Sequence, residues 1–65
     1  MEPNLKLRGL RVSKGYTQED VAKMMGVNRN TYSSKEQGKK DFTASEMIRI
    51  AEFLGAEPGD IFFKS

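Results

Sequence analysis

The 65-residue chain is predicted to fold as a compact all-α domain of five helices. Three observations carry that prediction. A helix-start pattern occurs four times, a glycine follows each of the first four periodic segments, and no segment alternates strongly enough to argue for a strand. The spans that follow are residues 4–14, 18–25, 29–37, 44–54 and 58–63.

The first helix turns Leu7 and Leu10 inward and stops at Gly15. The second opens at Tyr16-Thr17-Gln18-Glu19-Asp20-Val21, with Thr17 as cap, an acid three positions on, and Tyr16 and Val21 as a flanking apolar pair. The cap oxygen accepts from an N–H that the first turn leaves unpaired, and the apolar pair sets the entry angle. Val21, Ala22 and Met25 face inward, and Gly26 ends the helix. The third repeats the start at Val27-Asn28-Arg29-Asn30-Thr31-Tyr32, gives Val27 and Tyr32 to the core, and ends at Gly38. The fourth opens with a full Thr43-to-Glu46 capping box inside Phe42–Met47, turns Met47, Ile48, Ile50, Ala51 and Leu54 inward, and ends at Gly55. The fifth has a weaker start, with Glu57 in the cap position and Pro58 at a first helical position. Ile61 and one of Phe62 or Phe63 close the bottom of the core. The four methionines read as gap-filling core rather than a soft binding surface. Short connections favour a bundle.

Size and composition exclude whole classes of function. Residues 1–65 make one domain, and a chain this short hides only about 60% of its unfolded surface. With no cysteine, neither a disulfide nor a thiolate zinc site can staple it, and no metal or cofactor is expected. With no histidine, the usual neutral-pH general base is missing. Catalysis would need a carboxylate pair in a cleft, and the adjacent Glu19-Asp20 read instead as first-turn complements to a helix dipole. The chain is therefore not expected to be an enzyme. The longest apolar run, Ile61-Phe62-Phe63, cannot span a membrane, and Met1-Glu2-Pro3-Asn4 lacks a signal peptide's apolar stretch. A cytoplasmic protein, bacterial or phage-encoded, is the expectation.

The net charge of +2 conceals a gradient. Residues 1–40 hold nine cations against four anions, a local charge of +5, whereas residues 41–65 hold two against five, a charge of −3. Such a split fits a polyanion-facing surface on the first part and a face turned away on the second, although ordinary solvated charge would look the same.

The second and third helices are short and joined by Gly26-Val27-Asn28, with small Ala22 four residues before the glycine to let them cross closely. That is a helix-turn-helix, whose second helix can lie in the major groove of DNA. The outward N-terminal face of that helix is Asn28, Arg29, Asn30, Ser33 and Ser34. A merely solvated face would hold Glu and Lys in i,i+4 pairs. Ser and Asn are mediocre helix formers, so this face gives up local propensity, as a surface in use does. Arginine pairs bidentately with guanine, asparagine with adenine, and serine with several base edges.

The run Thr17-Gln18-Glu19-Asp20-Val21-Ala22, then Gly26-Val27, Glu36-Gln37-Gly38 and Ile50-Ala51-Glu52-Phe53-Leu54-Gly55, resembles the signature of the Cro/C1-type, or xenobiotic-response-element type, helix-turn-helix family. The resemblance covers about residues 5–63 and implies a lambda-repressor-like fold and a small phage-repressor-like DNA-binding domain. It implies that Gln18 bonds a backbone phosphate, and a helix N-terminus favours an anion there. It implies that Arg29, Asn30 and Ser34 read base edges, with Ser33 beside them, and that Asn28 serves as cap or phosphate ligand. Gln37, Lys39, Lys40 and the backbone around Thr43 match a phosphate-gripping loop. Arg11 and Glu36 match a partly buried structural ion pair joining the first helix to the end of the third.

Four positions depart from the family pattern. Lys35 stands where an apolar residue is frequent, which is expected to weaken the third helix's anchoring slightly. Tyr32 replaces isoleucine, so its ring can fill the core while its hydroxyl reaches a phosphate or a water. Phe42 replaces proline and can staple on Met47, and Glu57 replaces the usual serine cap.

The expected function is a sequence-specific transcriptional regulator, most simply a repressor, that binds a pseudo-palindromic operator in double-stranded DNA. A homodimer is expected, formed free or on DNA, because one recognition helix reads too few base pairs alone. Phe53, Phe62 and Phe63 are candidates for the two-fold contact, or they only finish the monomer core. No small-molecule ligand or membrane is implied. The alternative is a protein-binding module, such as an antitoxin or phage-switch component, with DNA binding secondary. It would show an exposed apolar groove and little DNA affinity.

Overall fold

The computed structural model describes residues 3–63. Glu2 and Lys64, counted above among the charges, lie outside the described residues. Five helices follow in order, α1 Leu5–Ser13, α2 Gln18–Met25, α3 Arg29–Glu36, α4 Ala44–Leu54 and α5 Pro58–Phe62, each within two residues of the span read from the sequence. There is no strand among the described residues.

The helix boundaries follow from the capping chemistry. Thr17 accepts from the Asp20 amide while the Asp20 carboxylate accepts from the Thr17 amide, and Thr43 and Glu46 do the same. Those contacts hold the exposed Asp20 carboxyl below the usual carboxylate range, the Thr17 backbone bond being the largest cause. Asn28 caps α3 by accepting from the Thr31 amide at 2.7 Å. Glu57 precedes α5 with no side-chain cap, and Pro58 begins the helix. The four glycines read as stops all have left-handed backbone, with φ between 71° and 84°. At Gly26 and Gly55 this geometry lets the cap amide reach back to close the last turn of α2 and α4.

The cap of α1 is Asn4, which the sequence pattern did not single out. Its Oδ1 accepts from the Leu7 amide at 3.0 Å, its Nδ2 donates to the Ile61 carbonyl at 3.0 Å, and its own amide donates to the Glu36 carbonyl at 2.8 Å. One residue thus ties the start of α1 to the end of α3 and to α5.

Leu7, Val21, Ala22, Tyr32, Ile50, Ala51, Leu54 and Ile61 form the buried core, with Leu10, Met25 and Val27 packed partly buried against it. Ile48 corrects the sequence reading, because it is 51% exposed rather than inward. The buried side of α4 carries Ile50, Ala51 and Leu54, and Ile48, two residues before Ile50, projects away from it. Lys35, where an apolar residue is frequent, has a partner that the sequence reading did not foresee: its Nζ lies 2.7 Å from both carboxylate oxygens of Glu46, with only 13% of the lysine side chain exposed. An ion pair at the edge of the core occupies the place of an apolar contact.

The aromatic residues are mostly used inside the domain. Phe53 lies 4.6 Å, centroid to centroid, from Tyr16, and Phe62 packs edge-on against Phe42 at 5.1 Å. Phe42 also tilts against Tyr32 and shares a groove with Met47, the staple partner expected for it.

Two glycines make opposite predictions. Gly9 lies inside α1 with open space where a Cβ would go, so Gly9→Ala should stabilise by about 0.5–1 kcal/mol. Gly26 has equally open space but φ of +76°, so Gly26→Ala should destabilise by about 1–2 kcal/mol from backbone strain alone. Urea unfolding of the two variants checks both signs.

Candidate nucleic-acid interface

The site begins from a buried carboxylate. Glu36, at the end of α3, is 3% exposed, and such a charge is tolerable only when its lone pairs are occupied. Its Oε2 accepts from Arg11 Nε at 2.9 Å and from the Tyr32 hydroxyl at 2.6 Å. Its Oε1 accepts from Arg11 Nη2 and Gln18 Nε2, each at 3.2 Å. Arg11 Nη1 donates to the Tyr16 carbonyl at 2.7 Å, which fixes the loop before α2. The ion pair implied by resemblance is therefore a fork-to-carboxylate contact that joins α1, α2 and α3.

The charges respond as this geometry requires. Burial opposes the Glu36 charge, but bonds from Arg11, Tyr32 and Gln18 outweigh it and hold the carboxyl below the usual range. The bond to Glu36 raises the Arg11 pKa against the opposing effect of burial. Burial, then the bond to Glu36, pushes the Tyr32 phenol far above its ordinary value, so it stays a neutral donor.

Tyr32 is the correction at this site. The side chain is wholly buried and its hydroxyl is spent on Glu36, so it does not reach out to a phosphate. An inward ring on α3 carries its para hydroxyl inward too, and the nearest strong acceptor is one turn along the same helix.

The outward face of α3 is made by the residues that Tyr32 and Glu36 leave on the other side. Arg29 and Asn30 are exposed, and Ser33 and Ser34 are half-exposed. Arg29 Nη1 donates to Gln18 Oε1 at 3.2 Å, so Gln18 bridges the buried carboxylate and the exposed arginine. Gln37 Nε2 donates to Ser33 Oγ at 2.9 Å, which places Gln37 beside the serines. Past α3, the Lys39 and Lys40 amides both donate to the Ser34 carbonyl, at 2.9 and 3.3 Å, and both lysines are exposed. Asn28 Oδ1 is spent on its cap. Thr43 is exposed at the start of α4, its hydroxyl likewise engaged as a cap.

The structure thus joins Gln18 to Arg29 and Ser33 to Gln37, and exposed Asn30 lies one turn before Ser33 and Ser34 on α3; Lys39 lines a groove with Gln18 and Gln37, whereas Lys40 lines one with Lys35, Phe42 and Met47. Of the residues suggested for a two-fold contact, Phe53 and Phe62 are half-buried in aromatic pairs, and Phe63 is 58% exposed. The bridging role of Gln18 and the Lys35–Glu46 pair were missed from sequence. A lysine on an otherwise inward stripe, facing a helix whose capping acid has a free oxygen, was the available signal for the second. Among the described residues, no cluster of three or more acidic, histidine or cysteine residues could hold a metal ion, and no helix is long and apolar enough to cross a membrane.

Comparisons with known proteins agree with this fold. A family model described as helix-turn-helix matches residues 7–61. An uncharacterised HTH-type transcriptional regulator of Methanocaldococcus jannaschii is 42% identical over 57 residues, covering 88% of this chain and 86% of that protein. The cryptic phage CTXphi transcriptional repressor RstR of Vibrio cholerae is 38% identical over 50 residues, covering 77% of this chain but 45% of the repressor. Among solved structures, the restriction-modification controller protein C.AhdI of Aeromonas hydrophila superposes with a TM-score of 0.80 at 30% identity, covering 91% of this chain and 86% of the controller.

The carboxylate hub sets the stability prediction. Removing one partner of a buried pair costs about 3–5 kcal/mol, so Glu36→Ala should lose that much in urea unfolding at pH 7. A domain of this length holds roughly 3–10 kcal/mol in total, so the variant will be barely folded. Because Glu36 and Glu46 both titrate below the ordinary value of 4.5 when folded, their stabilisation is complete above that pH and is lost as pH falls below it. The urea midpoint should stay level from pH 7 down to about 5, then drop, and drop less steeply in Glu36→Gln.

Proposed function

The chain belongs to the Cro/C1-type helix-turn-helix family of DNA-binding transcriptional regulators, and on that premise we propose that it represses transcription by binding a pseudo-palindromic operator as a homodimer. In this reading α3 lies in the major groove. Arg29 and Asn30 pair with base edges, Ser33 and Ser34 make shorter contacts beside them, and Gln18, Gln37, Lys39, Lys40 and the backbone near Thr43 hold phosphates. The observation that carries the reading is the division of α3. Its inward residues are fully engaged with the rest of the domain, while its outward N-terminal face offers exposed Arg29 and Asn30.

The mechanism follows from rigidity and spacing. Arg29 is already held by Gln18, so less side-chain freedom is lost when it meets a base. One recognition helix covers a few base pairs. Two copies with α3 helices about 34 Å apart would meet successive major grooves on one face of the duplex. Phe63, the exposed member of the aromatic set, is the residue we assign to the two-fold contact. Occlusion of polymerase at the operator is sufficient for repression. The relation of the phage repressor RstR to this chain supports that direction of control.

Selection from a random duplex library tests the reading. An enriched inverted repeat with half-sites one helical turn apart is expected, and salt-sensitive binding with no enriched sequence would refute it. Arg29→Ala should lower affinity for the selected site by about 1–3 kcal/mol per half-site and relax one position in each half-site. Replacing both Lys39 and Lys40 by alanine should weaken all sequences alike and flatten the dependence on salt.

A further inference from the structure

A groove of about 850 Å³ runs between the start of α1 and the end of α3, lined by Arg8, Arg11, Gln18, Glu36, Gln37 and Lys39. A second groove adjoins it, sharing Arg11 and Gln18 and continuing past Thr17 to Arg29. Together they make one path that leads from the exposed arginine of α3, past the N-terminus of α2, to the N-terminal half of α1.

The charge along this path is not balanced at its α1 end. The Arg11 charge is neutralised by Glu36, and every oxygen of that carboxylate already accepts two hydrogen bonds. Among the described residues, neither Arg8 nor Lys39 has an ion pair or a side-chain hydrogen bond. Arg8 stands one turn before Arg11 on α1, is exposed, and looks onto the same groove as Lys39. Two cations with no partner among the described residues therefore line one groove, whose one acidic group is already saturated. That is a place for an anion, and the arginine fork suits the oxygens of a phosphate.

We infer that Arg8, which lies outside the helix-turn-helix, binds the DNA phosphate next along the strand from the one held at Gln18, with Lys39 on its other side. This rests on the DNA-binding reading above and extends its footprint to α1. A strand that passes the N-terminus of α2 is carried by the path into the α1 groove, where its next charged group meets both cations. Lys6 provides an internal control, because this exposed cation of the same helix lines a different groove, with Phe63.

The test measures affinity for the selected duplex across a range of salt with the unmodified protein, Arg8→Ala and Lys6→Ala. Each neutralised phosphate contributes a slope of about 0.9 in log affinity against log salt. Arg8→Ala should make the slope shallower by about 0.9 for each protomer of the dimer, about 1.8 in all, leave the rank order of operator variants unchanged, and leave the melting temperature unaltered. Lys6→Ala should keep the original slope. A neutral methylphosphonate walked along each strand should find one position in each half-site that weakens the unmodified protein more than it weakens Arg8→Ala, which keeps the Lys39 contact. An unchanged slope in Arg8→Ala, or an equal loss in Lys6→Ala, overturns the assignment of Arg8 while leaving the DNA-binding reading intact. Absence of DNA binding by the unmodified protein overturns both.

Discussion

Placing the Glu36 carboxylate inside a 65-residue domain is the constraint on which the other contacts depend. A buried charge is expensive unless its partners are well placed, and this one recruits donors from α1, α2 and α3. Arg11 brings the loop before α2 with it through the Tyr16 carbonyl, and Gln18 carries the network to the surface at Arg29. The same bonds that make the charge tolerable also fix the angle between the two helices of the motif. A core of eight buried apolar side chains among the described residues gives little surplus from hydrophobic burial alone, so directional contacts matter more here than in a larger domain.

The third helix shows what this arrangement makes possible. Its sequence, with two serines, an asparagine and a threonine in eight residues, is poor in helix formers. It is held instead by Asn28 at its start, Tyr32 and Glu36 along its inner side, and Lys35 against Glu46 on α4. Glu46 is used twice, closing the capping box of α4 and receiving Lys35. With its stability supplied by tertiary contacts, the helix can carry on its outer face the polar side chains that suit base edges.

Helix boundaries were legible because caps and left-handed glycines act locally. Thr17, Asn28, Thr43, Gly26 and Gly55 do in the structure what their neighbours in sequence imply. Directions that depend on the partner were not legible. Met47 and Ile48 are adjacent apolar residues, and periodicity over so short a span does not decide which one α4 turns inward. The Tyr32 hydroxyl could be assigned only once its neighbour Glu36 was known to be buried, and Phe53 and Phe62 only once Tyr16 and Phe42 were beside them. Lys35 broke the apolar pattern, and its compensation lay eleven residues away on another helix. In the candidate interface, the pairing of Arg11 with Glu36 came from family resemblance. The Gln18 bridge and the place of Arg8 required three-dimensional neighbours that no local pattern encodes.

The central claim is that α3 presents a base-reading face held rigid from within, and nuclear magnetic resonance of side-chain N–H groups tests it most directly. The nitrogen-labelled protein would be titrated with its selected duplex and with a scrambled duplex of equal length. The account predicts that the Arg29 guanidinium and Asn30 amide signals shift only with the selected duplex, while Gln18 and the lysine loop respond to both. Equal responses of Arg29 and Asn30 to the two duplexes would contradict it, because the face would then be gripping phosphates rather than reading bases.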